Sequence, residues 1–331
     1  MSTTAPNTPT TVSQVITRKG SGLRLVANWA LPILLAVIII VAAATTPRFL
    51  SFDNIRAVLI NTSITGIVAV GMTPITLSGN FFSLGATQST VLSAVLFLSV
   101  GNATGSILLG AAAAVVVLCL VGLAQGLVVA AGLNPIITTL AVGTIIFGLV
   151  TLFTNGEVVV PQGIDIGWLA VSNFLGLPLP VYIFAVYLLI NWFLMERSLV
   201  GRRIMLMGAN KQTAVNSGIS VRRTTTWAFL SMSIGIAIAG ILSAAQLRQV
   251  QSGDLTTLTM DVVAAVLVGG SAIQGGDGSP LRSALGALLI VVLGNIMLLQ
   301  GFPTGVRLLG VGLLVVIVVS VLHVLRKATA R

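Results

Sequence analysis

The sequence predicts an all-α polytopic membrane protein with about ten transmembrane helices. Of the 331 residues, 56% are hydrophobic and only 7% are charged, whereas a soluble domain carries roughly 25% charged residues. The apolar residues also form runs of about 20, which is the length a helix needs to cross the hydrocarbon core. Because these runs are apolar throughout rather than alternating, and because lipid offers backbone groups no partner, the segments should be helices rather than barrel strands.

The chain divides into two short tails and one long membrane domain. Residues 1–26 are rich in Thr and Pro and then basic, which predicts a disordered cytoplasmic tail. The apolar run that follows, Ala27–Thr46, is longer than the 7–15 residues of a signal-peptide core, so it is read as the first span of a domain covering 27–325. Residues 326–331 form a second cytoplasmic tail. The nine further predicted spans are Ala57–Leu77, Ser83–Val100, Ser106–Ala131, Ile136–Phe153, Pro178–Met195, Trp227–Leu247, Leu255–Ile273, Ser283–Leu299 and Gly305–Leu325.

The distribution of basic residues predicts the orientation of the spans. With the amino terminus inside, the inner segments carry 13 of the 17 Lys and Arg residues and the outer segments carry the other four. An excess of Lys and Arg marks cytoplasmic loops, so both termini should be cytoplasmic. Topology and contact with the lipid bilayer therefore account for the net charge of +10, and we expect no nucleic-acid partner.

Two predicted loops are much longer than a turn requires. The outer one, 154–177, is acidic and contains no Lys or Arg. The inner one, 196–226, carries six basic residues against one acidic residue. The inner loop suits a docking role, although an amphipathic segment resting on anionic lipid would have the same composition.

The residues needed for most kinds of catalysis are missing. Cys119 and His323 are single examples of their types, so we expect no metal site and no Ser-His triad. No Gly-Lys-Ser or Gly-Lys-Thr occurs that could form a phosphate-binding loop, and no charge lies in the middle of a span to relay protons. We therefore expect a non-enzymatic protein without a cofactor.

Weak polar groups and two interrupted stretches indicate a path through the membrane. Polar side chains within the spans suit an uncharged polar solute, although they could equally form hydrogen bonds between helices. Met72–Gly85 contains Pro74 and Gly79, and interrupted spans mark transporter binding regions. The second interrupted stretch, Thr259–Gly286, leaves only about 23 Å of helix between its two acids, less than the roughly 30 Å core. Its glycines, read either as hinges or as packing positions, are Gly269, Gly270, Gly275, Gly276 and Gly278.

The second stretch also carries a family resemblance. MDVVAAVLVGGSAIQGGDGS, Met260–Ser279, resembles a signature of the permease subunits of ABC importers for monosaccharides of the ribose/xylose/arabinose type. The following Ser283–Gly301 matches the family's next helix, including Asn295, and looser matches lie at Gly132–Leu149, Met207–Val221 and Leu77–Ala86. Together these matches are spread from about residue 57 to 325.

The resemblance implies a type II ABC importer permease in the bacterial cytoplasmic (inner) membrane. Its expected partners are ABC ATPase subunits, a periplasmic or extracellular solute-binding protein, and a second permease copy or a paralogue. The basic inner loop then becomes the expected dock for the ATPase, with Arg202, Arg203, Gly208, Asn210, Ala214, Ser217 and Gly218 as its candidate coupling residues. The residues expected to line or gate the path are Asn61, Thr73, Asn80, Phe81, Gln88, Asp261 and Asn295.

Three departures from the family pattern leave the solute open. Thr259 stands where the family has Glu, Phe81 where it has Asp, and Thr213 where it has Ala. A permease for branched-chain amino acids is a related alternative. A secondary transporter or channel that works alone is an alternative of another class, and a membrane scaffold would leave the glycine-rich stretch unexplained.

Overall fold

A computed structural model describes residues 19–174 and 176–329, and side chains from 31 to 320 except those of 171, 173 and 175. These residues form helices joined by short connections, with one small hairpin. The order is α1 (Lys19–Thr45), α2 (Phe52–Leu77), α3 (Ala86–Thr104), α4 (Ile107–Ala130), α5 (Pro135–Thr154), α6 (Gly167–Val171), β1 (Asn173–Phe174), β2 (Leu177–Pro178), α7 (Leu179–Arg197), α8 (Leu199–Ala209), α9 (Lys211–Asn216), α10 (Val221–Leu247), α11 (Leu258–Val268), α12 (Pro280–Leu299) and α13 (Thr304–Thr329).

A helix lies at each of the ten predicted positions, so the all-α class is confirmed. Among the described residues, α2, α4, α5, α7, α10 and α12 are long and apolar enough to cross a membrane on their own. Three shorter apolar helical segments accompany them, at Leu31–Thr45, Leu258–Val268 and Thr304–Ser320. The total of ten crossings and the orientation of the termini stay predictions.

Two helices form the centre of the bundle. In α2, 89% of the apolar window is buried inside the protein, and in α10 the fraction is 72%, against 22% in α4 and α7. The largest apolar core accordingly combines residues of α2, α10, α11 and α12. A second core joins α3, α4 and α5 to α6, the last turn of α10 and Val250. The peripheral helices leave large apolar side chains exposed, as a lipid-facing surface requires.

The two predicted long loops are structured. Within 154–177 the chain forms α6 and most of the β1–β2 hairpin, and Val159 pairs with Val250 through two backbone hydrogen bonds of 2.8 and 2.9 Å. Within 196–226 it forms α8 and α9. Backbone hydrogen bonds, within short helices or to the distant Val250, give both segments a defined structure, which composition alone does not predict.

Three boundaries differ from those predicted. Residues 19–26 belong to α1 rather than to a disordered tail, since the Pro-rich part ends before them, while 1–18 lie outside the described residues. At the other end α13 continues through 326–329. The predicted span Leu255–Ile273 contains only the 11-residue α11. At about 1.5 Å per residue, α11 covers roughly half of a hydrocarbon core.

Candidate functional site

The carboxyl end of α2 is built around a glycine. Gly79 has a φ of +78°, a left-handed conformation that favours glycine. The N–H groups of Gly79 and Asn80 donate to the carbonyls of Thr76 and Ile75, at 3.0 and 3.3 Å. This Schellman arrangement satisfies the preceding carbonyls and leaves that of Leu77 available for another segment.

Pro74 does not interrupt this span, and that part of the prediction is wrong. Helix α2 continues through Pro74 to Leu77 and breaks only at Gly79. Membrane helices tolerate proline where neighbouring groups compensate for the missing hydrogen bond.

The glycine-rich stretch folds as a compact connection between α11 and α12. Helix α11 ends with the N–H groups of Gly270 and Ser271 donating to the carbonyls of Leu267 and Val266, at 2.9 and 3.2 Å. The chain then turns back on itself, with the N–H of Ala272 donating to the carbonyl of Asp277 at 2.7 Å. Only eleven residues, 269–279, therefore separate two packed helices.

Three segments meet backbone to backbone at this end of the protein. The N–H of Gly276 donates to the free Leu77 carbonyl at 2.9 Å. A Cβ on Gly208 of α8 would collide with that carbonyl and lie 2.6 Å from the nitrogen of Gly276. A Cβ on Gly275 would lie 2.7 Å from the nitrogen of Gly79 and 2.9 Å from the Cα of Gly208. We call Leu77, Gly79, Gly208, Gly275 and Gly276 the glycine junction.

Of the three remaining predicted hinge glycines, Gly269 and Gly278 also lie in close contacts, and Gly270 has a φ of +77°. A Cβ on Gly269 would lie 2.6 Å from the carbonyl oxygen of Arg282, and one on Gly278 would lie 2.6 Å from Oγ of Ser271. Close packing is thus sufficient to explain these positions. Motion at the glycines stays a prediction.

Helix α8 is amphipathic and attaches the predicted coupling segment to the bundle. Its buried residues Gly201, Ile204 and Met207 recur at three-residue spacing along one face. Ile204 packs with Leu77 and Met195 in a small apolar cluster. The charged side chains of Arg202 and Arg203 are exposed, as the polar face of such a helix should be.

The predicted coupling residues after Gly208 mostly shape the short helix α9. The Asn210 side chain caps α9 by accepting from the N–H of Thr213 at 3.0 Å, and Ala214 is buried. Ser217 ends the helix and Gly218 follows with a φ of +80°. These roles hold α9 on the surface in a defined conformation.

A polar cavity of about 310 Å³ lies toward the opposite end of the bundle. Three predicted path residues, Asn61, Asp261 and Asn295, line it together with Gln246 and Arg307. Nε2 of Gln246 donates to Oδ1 of Asn61 at 3.1 Å. Amides, a carboxylate and a guanidinium therefore converge from α2, α10, α11, α12 and α13.

Some of these polar side chains link helices to one another. Asn295 and Asn54 exchange two side-chain hydrogen bonds, of 2.7 and 3.0 Å. This pair ties α2 to α12 at the rim of the cavity. Among the described residues, Nε of Arg307 is buried without a hydrogen-bond partner, so the cavity holds unused donor capacity.

The other four predicted path residues do not line this cavity. Thr73 is fully buried; its hydroxyl donates to the carbonyl of Ala69 at 2.9 Å and forms a hydrogen bond of 2.8 Å with the Ser283 hydroxyl, which is interhelical packing. Asn80 donates to Ser78 Oγ at 2.8 Å beside the glycine junction. Phe81 is exposed, with a φ of +57°.

Gln88 lies in α3, where a Cβ on Gly143 of α5 would be 3.3 Å from its Oε1. That oxygen is buried without a partner. The fold therefore separates residues that the sequence groups together, and Gln246 and Arg307 line the cavity although no sequence pattern indicates them. Both residues lie near the ends of predicted spans, where a polar residue does not by itself indicate a functional site.

Comparisons with known proteins identify the family of this chain. Residues 54–319 match the family described as "Branched-chain amino acid transport system / permease component". The chain belongs to this permease family. The ribose import permease of Escherichia coli K12 is 30% identical over 285 residues, covering 84% of this chain and 85% of the relative. The ribose import permease of Bacillus subtilis 168 is 30% identical over 290 residues, covering 86% and 89%.

The L-arabinose transport system permease of Escherichia coli K12 is 29% identical over 271 residues, covering 82% of each chain. No solved structure matches the chain. Membership makes the protein a non-enzymatic transport subunit of a bacterial ABC importer in the inner membrane.

One departure from the family signature has a structural counterpart in this permease. Thr259, which stands where the signature has Glu, forms a reciprocal pair with Thr87. The N–H of each residue donates to the hydroxyl of the other, at 2.9 and 3.0 Å, and the two hydroxyls are 2.8 Å apart. The pair joins the first turns of α3 and α11.

We expect Thr259→Val to destabilise the permease, because it leaves the buried N–H of Thr87 without an acceptor. The cost should be about 1 kcal/mol, or a fall in Tm of about 1–2 °C for 331 residues. Thermal unfolding of the purified protein measures it. Thr259→Ser keeps the hydroxyl and should stay near wild type, and equal Tm values for the Val and Ser variants would contradict the role of the pair.

Proposed function

We propose that this permease forms the membrane path for a monosaccharide or a similar neutral polyol. The observation that carries the proposal is the set of relatives named for ribose, arabinose and galactofuranose, aligned over 72–86% of the chain. The polar cavity supports it, since amides and a carboxylate are good partners for hydroxyl groups. The same cavity contains both Asp261 and Arg307, which keeps a zwitterionic amino acid as the second candidate.

The charge distribution supports one orientation of this path. With 13 of 17 basic residues on the side of α8 and α9, that end faces the cytoplasm and the polar cavity lies in the outer half. A solute-binding protein would deliver the solute to the outer face. Two permease chains, identical or paralogous, and the ABC ATPase subunits would complete the importer.

The glycine junction supports a coupling route from the ATPase to the path. Helices α8 and α9 would contact the ATPase through their exposed face, which carries Arg202 and Arg203. Because Gly208 touches the end of α2 and the α11–α12 connection without intervening side chains, a displacement of α8 would be transmitted to both. Through α2 and α11 the displacement would reach Asn61 and Asp261, which line the cavity.

The decisive experiment is uptake into proteoliposomes that contain the permease with its ATPase and binding-protein partners. We expect uptake of a labelled monosaccharide, from a panel of ribose, arabinose and galactofuranose, that requires ATP and both partners, and no leucine uptake. ATP-dependent leucine uptake without sugar uptake would favour the amino acid alternative. Uptake of either solute by the permease alone would identify a secondary transporter or channel instead.

Gly218→Arg tests the docking surface directly. Gly218 is exposed, with open space around its Cα, so the new side chain projects from the end of α9 rather than into the bundle. We expect weaker co-purification with the ATPase and reduced uptake. The control is Gly218→Asn, which tolerates the left-handed conformation; normal ATPase binding by the Arg variant would exclude this surface as the dock.

A further inference from the structure

An apolar groove runs along the outside of the bundle between α7 and α10. Its volume is about 540 Å³, and its walls extend from Tyr182 to Leu194 on α7 and from Trp227 to Ile238 on α10. Each wall spans about 18 Å at 1.5 Å per residue, close to the roughly 15 Å of one leaflet of hydrocarbon. The groove therefore has the length of a lipid acyl chain.

Three polar residues in the wall of the groove, Tyr187, Asn191 and Ser231, form hydrogen bonds with one another. The Tyr187 hydroxyl donates to the carbonyl of Ser231 at 2.6 Å, and the Ser231 hydroxyl donates to Oδ1 of Asn191 at 2.7 Å. Nδ2 of Asn191 donates to the carbonyl of Tyr187 at 3.0 Å. Because these groups satisfy one another, the groove presents an apolar surface that suits hydrocarbon.

A basic pocket adjoins the groove at the amino-terminal end of α10, where Trp227 lines both. It has a volume of about 310 Å³ and is lined by Arg222, Arg223, Thr226, Trp227 and Leu127 of α4, with Ser220. Trp227 lines both cavities and is 56% exposed. Tryptophan at such a position is typical of the boundary between headgroups and hydrocarbon.

The pocket is suited to an anion in three respects. Arg222 and Arg223 are exposed and form no ion pair with the side chains that the structure describes. Among those side chains, Arg282 is paired with Asp277 instead. The first turn of α10 offers backbone N–H groups and the positive end of a 27-residue helix. Oγ1 of Thr226 is buried without a hydrogen-bond partner.

We infer that this combined site holds an anionic phospholipid of the cytoplasmic leaflet, with its phosphate at Arg222 and Arg223 and one acyl chain in the groove. Charge complementarity selects the headgroup, and the length of the groove places the chain. The leaflet follows from the proposed orientation. The site itself is independent of the proposed solute.

Trp227 makes the site directly observable. We would replace the other three tryptophans, Trp29, Trp168 and Trp192, with Phe and reconstitute the full-length single-Trp permease in bilayers containing a brominated lipid. Bromine quenches tryptophan on contact. Brominated phosphatidylglycerol should quench Trp227 with an apparent affinity several-fold, and up to roughly 30-fold, above that of brominated phosphatidylcholine, since each arginine near a membrane surface contributes about 1 kcal/mol.

Arg222→Gln/Arg223→Gln should reduce this preference to near unity while leaving quenching by phosphatidylcholine unchanged, which also shows that the fold persists. Arg222→Lys/Arg223→Lys should retain most of the preference. The matched control, Arg203→Gln/Lys211→Gln, removes two exposed charges from the same end of the protein without touching the lipid site and should keep the wild-type preference for phosphatidylglycerol.

Several results would overturn the inference. Equal quenching by the two lipids would show ordinary annular contact. No quenching by either lipid would show that another protein surface covers the groove. A preference unchanged in the Gln variant, or loss of ATPase co-purification as the sole effect of that variant, would assign the arginines to another partner.

Discussion

Gly208→Ala should abolish most transport although it adds a single methyl group. The new Cβ would occupy the position of the Leu77 carbonyl oxygen and press on the nitrogen of Gly276. The hydrogen bond between those two residues, 2.9 Å long, would have to break or α8 would have to move away. Overpacking of this kind costs about 1–3 kcal/mol, and each 1.4 kcal/mol that falls on the coupling step reduces the rate about tenfold.

The measurement is ATP-dependent uptake together with ATPase co-purification. We expect uptake to fall by about tenfold or more if the strain falls mainly on the coupling step. The matched control is Gly148→Ala, since Gly148 is also helical and a Cβ there meets nothing within 4 Å. It should transport normally. Wild-type uptake by Gly208→Ala would show that α8 is loosely attached and would remove the proposed coupling route.

The glycine junction shows what the sequence could predict and where it stopped. Five glycines in a short apolar stretch indicated a close backbone approach, and such approaches are present. The partner at this site could not be inferred, because Gly276 meets Leu77 and Gly208 through tertiary contacts with no local pattern. The free carbonyl of Leu77 arises only from the way in which α2 terminates.

The sequence also does not show which of the predicted path residues share one cavity, because this again depends on tertiary contacts. A helix that is buried on one side reveals its inner face by periodicity. Helix α2 is buried along most of its length, so the spacing of its apolar residues does not distinguish one face of the helix from another. Asn61 and Thr73 therefore looked equivalent in the sequence, although Asn61 lines the cavity and Thr73 bonds to Ser283. Distinguishing them requires the positions of the neighbouring helices.

Filling the polar cavity provides the strongest test of where the solute passes. Gly294 lines the cavity, and a Cβ on it meets no heavy atom within 4 Å, so a side chain can grow there without displacing the wall. Gly294→Trp should reduce uptake to background while the complex still assembles and hydrolyses ATP, because the indole would occupy the space beside Asn61 and Asp261. A hydrolysis rate that persists without uptake separates a blocked path from a misfolded subunit.

Graded substitutions at the same residue supply the control. Gly294→Ala leaves most of the cavity open and should transport normally, and Gly294→Leu should be intermediate. This order follows from side-chain size alone, since all three side chains are uncharged and share one backbone position. Full uptake by the Trp variant would place the solute path outside this cavity, for instance between two permease chains. Asn61, Asp261 and Asn295 would then be polar links between helices, with Asn295 already bonded to Asn54.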